Sequence, residues 1–383
     1  MIIKNTKIIF PDRIQKGSVK IENGKIKEIG SSVSGNEPVI DGEGMYLSPG
    51  FIDIHIHGAA GSDTMDGTYD ALNTISKAIA KHGTTSFLPT TMTMSKDSIR
   101  KALESVSEAK QKGTDGANVL GCHLEGPFIS SSAIGAQNPE YVLKPSVEDF
   151  LDMAGSHIED IVTLTIAPEV QGAGELIRFL SHNHIKASMG HTSATYEQAV
   201  KGIECGICHS THLYNAMTPL HHRNPGAVGA IFDTSITTEI IADGIHIAYP
   251  SIRTALKQKG LDKMMLISDA MMACTMPDGD YTLGGQRVIV KEGAARLENG
   301  SLAGSVLTLD KAVRNIKNNT TYPLHEIIRM VTHNPACHCN VQDRKGSIKE
   351  GYDADLVLFD EDINIKKVII GGREVQKNIG QIV

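Results

Sequence analysis

Between residues 48 and 344 the chain repeats one pattern, a short apolar run followed by a longer stretch with apolar residues at helical spacing. The apolar runs fall at 51–57, 85–89, 119–125, 162–167, 186–191, 209–213, 239–242 and 264–269. Amphipathic stretches at 70–81, 95–112, 174–183, 195–204 and 250–259 separate most of them. Runs this short and this apolar predict strands buried on both faces, and a helix between two strands makes them parallel. Eight such units close into a (β/α)8 barrel, a fold that takes roughly 250 residues. A doubly wound open sheet is the alternative, and it is disfavoured because no GxGxxG motif opens any of these helices.

The two ends of the chain read differently. Residues 19–29 alternate apolar and polar on both sides of Asn23-Gly24, a strong hairpin signal. Near the other end, 354–359 predicts a buried strand, and 368–370 pairs with 374–375 across Gly371-Gly372. Two strand-rich ends around a different middle predict a small β-sandwich domain made from residues 1–47 and 345–383. Residues 48–344 then form the catalytic barrel, and the termini lie close together.

Composition removes several function classes. The net charge is −7 and no Lys/Arg-rich run occurs, which argues against nucleic-acid binding through a basic face. No apolar run approaches the ~20 residues that span a bilayer. The opening MIIKNTKIIF is broken by Lys4, Asn5 and Lys7, so it does not read as an export signal. The six cysteines are therefore expected as cytoplasmic thiols. Cys205-Gly206-Ile207-Cys208-His209 spells a haem-attachment motif, but it runs straight into the sixth predicted strand and reads better as buried thiols. A structural zinc site joining Cys205 and Cys208 to Cys337 and Cys339 is disfavoured by irregular spacing. Sixteen histidines and no tryptophan leave metal or acid–base chemistry open, without an indole platform for a sugar.

The polar residues at the strand ends carry the functional signal. His55 and His57 end the first predicted strand, Glu125 the third, His191 the fifth, His212 the sixth and Asp269 the eighth. In a barrel those ends converge on one face, where catalytic groups sit. Residues i and i+2 of a strand share a side, so His55 and His57 both face inward. Six nitrogen and oxygen donors at one mouth point to a divalent metal, with zinc or iron suited to imidazole plus carboxylate.

The stretch 49–58, PGFIDIHIHG, resembles the opening motif of the amidohydrolase superfamily, and 351–357, GYDADLV, resembles the closing strand of its small domain. More narrowly, HLEGPF at 123–128, GHT at 190–192, HLYNAM at 212–217 and SDA at 268–270 resemble the N-acetylglucosamine-6-phosphate deacetylase family, in its order and end to end. The glutamate ending the third strand is the specific part, since many amidohydrolases use a modified lysine after the fourth. This resemblance implies metal ligands at Glu125, His191 and His212, and a catalytic acid/base at Asp269. Some members lack the HxH pair and hold one ion. This chain keeps His55 and His57, so one or two ions per subunit (zinc, iron, manganese or cobalt) are expected, with Glu125 bridging.

The resemblance also implies substrate contacts at Ala136, Gln137, Asn215, Ala216, Arg223, His246, Leu302, Ala303 and Gly304. Residues 281–304 are expected to form a hairpin that brings the last three over the sugar. Arg223, in the cluster His221-His222-Arg223, suits a two-point grip on phosphate and can come from a neighbouring subunit, which implies a homodimer. Gln137 stands where some relatives carry a histidine that polarises the acetyl carbonyl, and the second ion is expected to take over that task. The implied reaction removes acetate from N-acetylglucosamine 6-phosphate. The galactosamine epimer, an amidohydrolase acting on cyclic amides or acylated amino acids, and a non-catalytic metal- or haem-binding barrel are the competing readings.

Overall fold

Each of the eight apolar runs forms a strand of a parallel barrel in the computed structural model, which describes residues 1–375. The strands are Phe51–Ile56, Thr84–Pro89, Cys122–Glu125, Ile161–Ile166, Lys186–Met189, His209–Ser210, Thr237–Ile241 and Met264–Ile267. They pair in chain order as two arcs. Parallel bridges from Thr90 to His123 and from Ile56 to Ala270 join the arcs into a closed ring. Helices Tyr69–Ala80, Lys96–Lys112, Ala173–His182, Tyr196–Cys205 and Tyr249–Lys259 follow the amphipathic stretches. Thr68, Ser95 and Thr195 cap three of them by accepting from the backbone N–H of Ala71, Ser98 and Gln198. Each such cap is worth about 1 kcal/mol. The structure adds Val147–Ala154, Gly226–Asp233, Leu309–Asn319, Leu324–Arg329 and His333–His338, which complete the helical layer.

Apolar side chains such as Ile52, Ile54, Phe87, Leu164, Ile240 and Leu266 are fully buried between strands and helices. Inside the barrel, hydroxyls replace them below the mouth. Thr211 Oγ1 lies 2.8 Å from Thr165 Oγ1 and 2.6 Å from Ser188 Oγ, so these buried groups satisfy one another.

Three predicted strands end early. The fifth, sixth and eighth stop at Met189, Ser210 and Ile267, short of His191, His212 and Asp269. Those three residues have φ of +48°, +27° and +48°, values that cannot continue a strand. The backbone therefore turns at the barrel mouth and swings each side chain across it. Gly190 sits in the first of these turns, where an added Cβ would lie 2.7 Å from Thr211 Cβ and 2.8 Å from Thr165 Cγ2.

The terminal strands form one mixed eight-stranded sheet. Its order is Arg373–Glu374, Ile365–Ile370, Leu356–Phe359, Tyr46–Pro49, Ile2–Ile9, Ile14–Glu22 and Lys25–Gly30, with Val39–Asp41 beside Ile2–Ile9. Asn23 and Gly24, with φ of +51° and +75°, make the two-residue turn of the predicted hairpin. The sheet curls back on itself, since Ile26 donates to the Tyr352 carbonyl at 2.9 Å and accepts from Gly351 N at 2.8 Å. Ile3, Ile8, Val19, Ile26, Leu47 and Leu356 fill a core separate from that of the barrel. Residues 376–383, which the sequence assigns to the small domain, lie outside the described residues. The expected hairpin at 281–304 is a three-stranded antiparallel sheet, Gly279–Leu283, Gln286–Lys291 and Ala294–Leu297, packed on Met92 and Met271.

Candidate active site

All six predicted strand-end donors meet at the carboxyl mouth of the barrel. Glu125 is central and buried. Its Oε1 lies 2.9 Å from His212 Nε2 and 3.2 Å from His191 Nε2. Its Oε2 lies 3.3 Å from His57 Nε2. Asp269 Oδ1 sits 3.2 Å from His57 Nε2 and 3.4 Å from His55 Nε2. Three groups of metal-capable atoms result; His55–His57–Glu125 and Glu125–His191–His212 share one carboxylate and face the cavity, and His55–His123–Glu239 lies behind them.

The hydrogen bonds behind these rings decide what their front faces can do. His191 Nδ1 donates to the Ala133 carbonyl at 3.0 Å, and His57 Nδ1 donates to the Thr90 carbonyl at 3.2 Å. His55 Nδ1 donates to Glu239 Oε2 at 2.9 Å. Each of these imidazoles, when neutral, then presents a bare Nε2 lone pair to the centre. There the lone pairs meet carboxylate oxygens and one another, with His191 and His212 Nε2 only 3.2 Å apart and those of His55 and His57 3.4 Å apart. Such an arrangement repels itself unless a cation or protons lie within it. Without a cation, the fields of Glu239, Glu125 and Asp269 outweigh burial and hold the His55 pKa well above its ordinary value. Burial likewise opposes protonation of His57, yet bonds to Asp269 and Glu125 push it up to about 9. Burial is similarly outweighed at Glu125, where His55 and His191 hold the carboxyl well below its usual range. The donor set fits one or two divalent ions of the kind that nitrogen and oxygen ligands hold.

The sequence reading passed over three supporting residues. Glu239, fully buried in the seventh strand, accepts from His55 Nδ1 and from His212 N at 3.0 Å with one oxygen, and from His209 Nε2 at 3.2 Å with the other. A charged residue within TTEII, an otherwise uncharged and largely buried strand, was the available signal. Asp243 accepts from His246 Nδ1 at 2.7 Å and fixes that ring. Glu169 holds the loop after His191 through Thr192 Oγ1 and Ser193 N, both at 2.6 Å.

A cavity of about 540 Å³ opens above the cluster, lined by His57, Glu125, His191, His212 and Asp269 together with substrate candidates. Ala136, Gln137, Asn215, Ala216, His246, Leu302 and Gly304 reach it. Its size suits a small ligand. A larger groove of about 1040 Å³ runs beside helix Tyr69–Ala80, but none of the clustered histidines and carboxylates reaches it. Two expected contacts fall outside the cavity. Ala303 is buried among the hairpin's apolar side chains, its N–H donated to the Ala295 carbonyl. Arg223 is exposed on the loop before helix Gly226–Asp233, where its Nη1 lies 2.7 Å from Nε2 of its neighbour His222 and its backbone N–H donates to His221 Nδ1 at 3.3 Å.

Gln137 has both ends of its amide engaged. Its Oε1 accepts from Thr93 N at 2.7 Å, which fixes the amide's orientation, and Nε2 donates to Glu125 Oε2 at 2.6 Å. The haem and zinc alternatives find no support among the described residues. His209 uses both ring nitrogens, on Thr237 Oγ1 and Glu239. No cysteine joins any group of three metal-capable side chains. Contrary to expectation, the Cys205 thiol is half-buried beside Arg178 and Cys208 is exposed.

A closed parallel barrel with a histidine–carboxylate cluster at its carboxyl mouth places the chain in the class of metal-dependent barrel hydrolases. The chain belongs to the amidohydrolase family, whose sequence profile matches residues 46–375. Its members are metal-dependent enzymes that hydrolyse C–N bonds. The chain is 40% identical to an N-acetylglucosamine-6-phosphate deacetylase of Lysinibacillus sphaericus, covering 99% of this chain and 98% of that one. It is 36% identical to an N-acetylgalactosamine-6-phosphate deacetylase of Escherichia coli O157:H7, over 88% and 89% of the two chains. The crystal structure of N-acetylglucosamine-6-phosphate deacetylase from Pasteurella multocida superposes with a TM-score of 0.93 at 32% identity, covering 97% of this chain and 98% of that one.

Proposed function

We propose that this chain hydrolyses the acetamide of N-acetylglucosamine 6-phosphate, giving glucosamine 6-phosphate and acetate in amino-sugar use. The observation that carries the reading is the convergence of four imidazole Nε2 atoms on Glu125, with Asp269 beside them and a sugar-sized cavity above. Glu125, His191 and His212 would hold one divalent ion, and His55 and His57, with Glu125 as the shared carboxylate, would hold a second. Such ions lower the pKa of water to about 7 and polarise a carbonyl oxygen. In the metal-free site His55 and His57 outweigh burial and hold the Asp269 carboxyl below its usual range; bound cations would do so in their place, and the ionised carboxylate takes the proton of the attacking water. It then delivers that proton to the sugar nitrogen as the C–N bond breaks, so that an amine rather than an amide anion leaves. Gln137, tied to Glu125 and Thr93, fixes the orientation of the shared carboxylate, and an ion held by His55 and His57 would supply the positive charge that polarises the acetyl oxygen. Zinc, iron, manganese and cobalt all suit the donors.

The phosphate makes a further demand. Among the described residues, no Lys or Arg lines the cavity of a single chain. A dianionic group therefore needs a cation from outside, and an exposed Arg223 reaching the neighbouring cavity of a homodimer supplies it. The same reading takes residues 1–47 and 345–383 as a supporting domain and 48–344 as the catalytic one. Among the described residues no helix is long and apolar enough to cross a membrane, and all six thiols are unpaired, which suits a cytoplasmic enzyme. The similarity to a galactosamine-specific relative keeps that epimer as the second reading. Acetate release measured on both 6-phosphate epimers and on unphosphorylated N-acetylglucosamine tests the proposal. The gluco epimer is expected to be preferred, and preference for the unphosphorylated sugar would overturn it.

A further inference from the structure

At the opposite end of the barrel, where the strands begin, a second cavity of about 320 Å³ gathers positive charge. Lys186 opens the fifth strand, Lys263 immediately precedes the eighth, and Arg329 and His333 lie at and just beyond the end of helix Leu324–Arg329. Among the described residues, no hydrogen bond or ion pair engages the Lys186, Lys263 or Arg329 side chain, whereas a buried or half-buried cation elsewhere such as Lys96 is paired, with Asp149 and Asp152. Asp262, the one carboxylate in this lining, is exposed. Two buried polar atoms, Arg329 Nε and His333 Nδ1, have no partner. Leaving such groups unmet is costly, and like charges brought together without a counter-ion add to that cost. The thiols of Cys208 and Cys337 line the same space, and Cys337 Sγ lies 3.6 Å from His333 Nε2. Burial holds the Cys337 thiol above its ordinary pKa, and the charges of Arg329 and Lys186 offset that rise only in part.

We propose that this cavity is a binding site for a small phosphorylated anion, distinct from the catalytic mouth and separated from it by the length of the barrel. A phosphate group supplies several acceptors to the unpaired Lys186 and Lys263 ammoniums and to the Arg329 guanidinium, whose planar donors match its oxygens. The cavity has room for an ester beyond the phosphate. Bound charge there also cancels the pull on the Cys337 thiol, so occupancy makes that thiol less reactive both by covering it and by raising its pKa.

The test reads the cavity locally, independently of the active site. Intact protein is alkylated with iodoacetamide, and the rates at Cys208 and Cys337 are followed by peptide mass spectrometry in chloride and in inorganic phosphate at equal ionic strength. Phosphate is expected to slow Cys337 severalfold and saturably. In the Lys186→Gln/Arg329→Gln protein its apparent affinity falls by about tenfold or more, as the loss of charge-assisted bonds requires. Should that protein misfold, Lys263→Glu, which reverses one charge, is expected to weaken the protection in the same direction. A parallel arm with glucose 6-phosphate separates the sources: tighter protection assigns a phosphate ester, equal or weaker protection the free ion. Equal alkylation rates in phosphate and chloride, or full protection in the charge-depleted variants, would overturn the proposal.

Discussion

Glu239 carries no direct contact with the cavity, yet the geometry makes it the support on which the metal cluster rests. Its carboxylate meets three donors, at 2.9 Å, 3.0 Å and 3.2 Å, and two of them belong to His55 and His212, one from each proposed metal site. Glu239→Gln keeps the volume. The new amide oxygen can still accept from His55 and His212, and the NH2 can face His209 in its other tautomer. What is lost is the charge. A bond to a charged acceptor contributes about 1.5–3 kcal/mol against about 0.5–1.5 for a neutral one, so the difference is on the order of 1–2 kcal/mol. That converts to roughly 5- to 30-fold weaker metal binding, within the range seen when a ligand's outer partner is changed. Glu239→Ala removes all three acceptor contacts, so it is expected to lose more affinity and to lower the thermal midpoint. Metal content per chain and chelator competition, measured on wild type and both variants, give the order wild type, Gln, Ala. Unchanged affinity in both variants would refute the argument that the back side of His55 governs the cluster.

Asp269→Asn is expected to retain bound metal while kcat falls by about 10²- to 10⁴-fold, the usual worth of a positioned acid/base, checked by acetate release on metal-assayed protein. Arg223→Ala is expected to raise KM for the phosphorylated sugar by about tenfold or more, with little change for the unphosphorylated one. Gly190→Ala forces a Cβ against Thr211 and Thr165 and is expected to cost about 1–3 kcal/mol of stability, read from denaturant unfolding.

The eight strands were legible because each apolar run is short, flanked by polar residues and spaced by an amphipathic stretch. The six site donors were legible for the same reason, as polar residues that interrupt an apolar pattern at its end. The left-handed turns at His191, His212 and Asp269 were not, since nothing in a histidine or aspartate announces a positive φ that surrounding packing imposes. Helix Gly226–Asp233 escaped because GAVGAIFD has almost no polar face and two glycines, so helical periodicity never appears. Leu309, Ala312, Val313 and Ile316 do mark helix Leu309–Asn319, but that segment follows the turn-rich hairpin, where strand–helix alternation lapses. Ala303 came from resemblance alone, and it lies in the hairpin's core. Arg223 was also legible in the cluster His221-His222-Arg223, but it lies outside the cavity, and a role for it through a second chain is not written in a single sequence.

The central claim is that a cluster centred on Glu125 runs the reaction with two ions. The most direct measurement is acetate release from N-acetylglucosamine 6-phosphate as metal is returned stepwise to chelator-stripped protein, with ions per chain counted on each sample. No turnover is expected without metal, and a plateau is expected at two ions per chain. A plateau at one ion would contradict the role given to His55 and His57, and undiminished turnover in stripped protein would contradict the account as a whole.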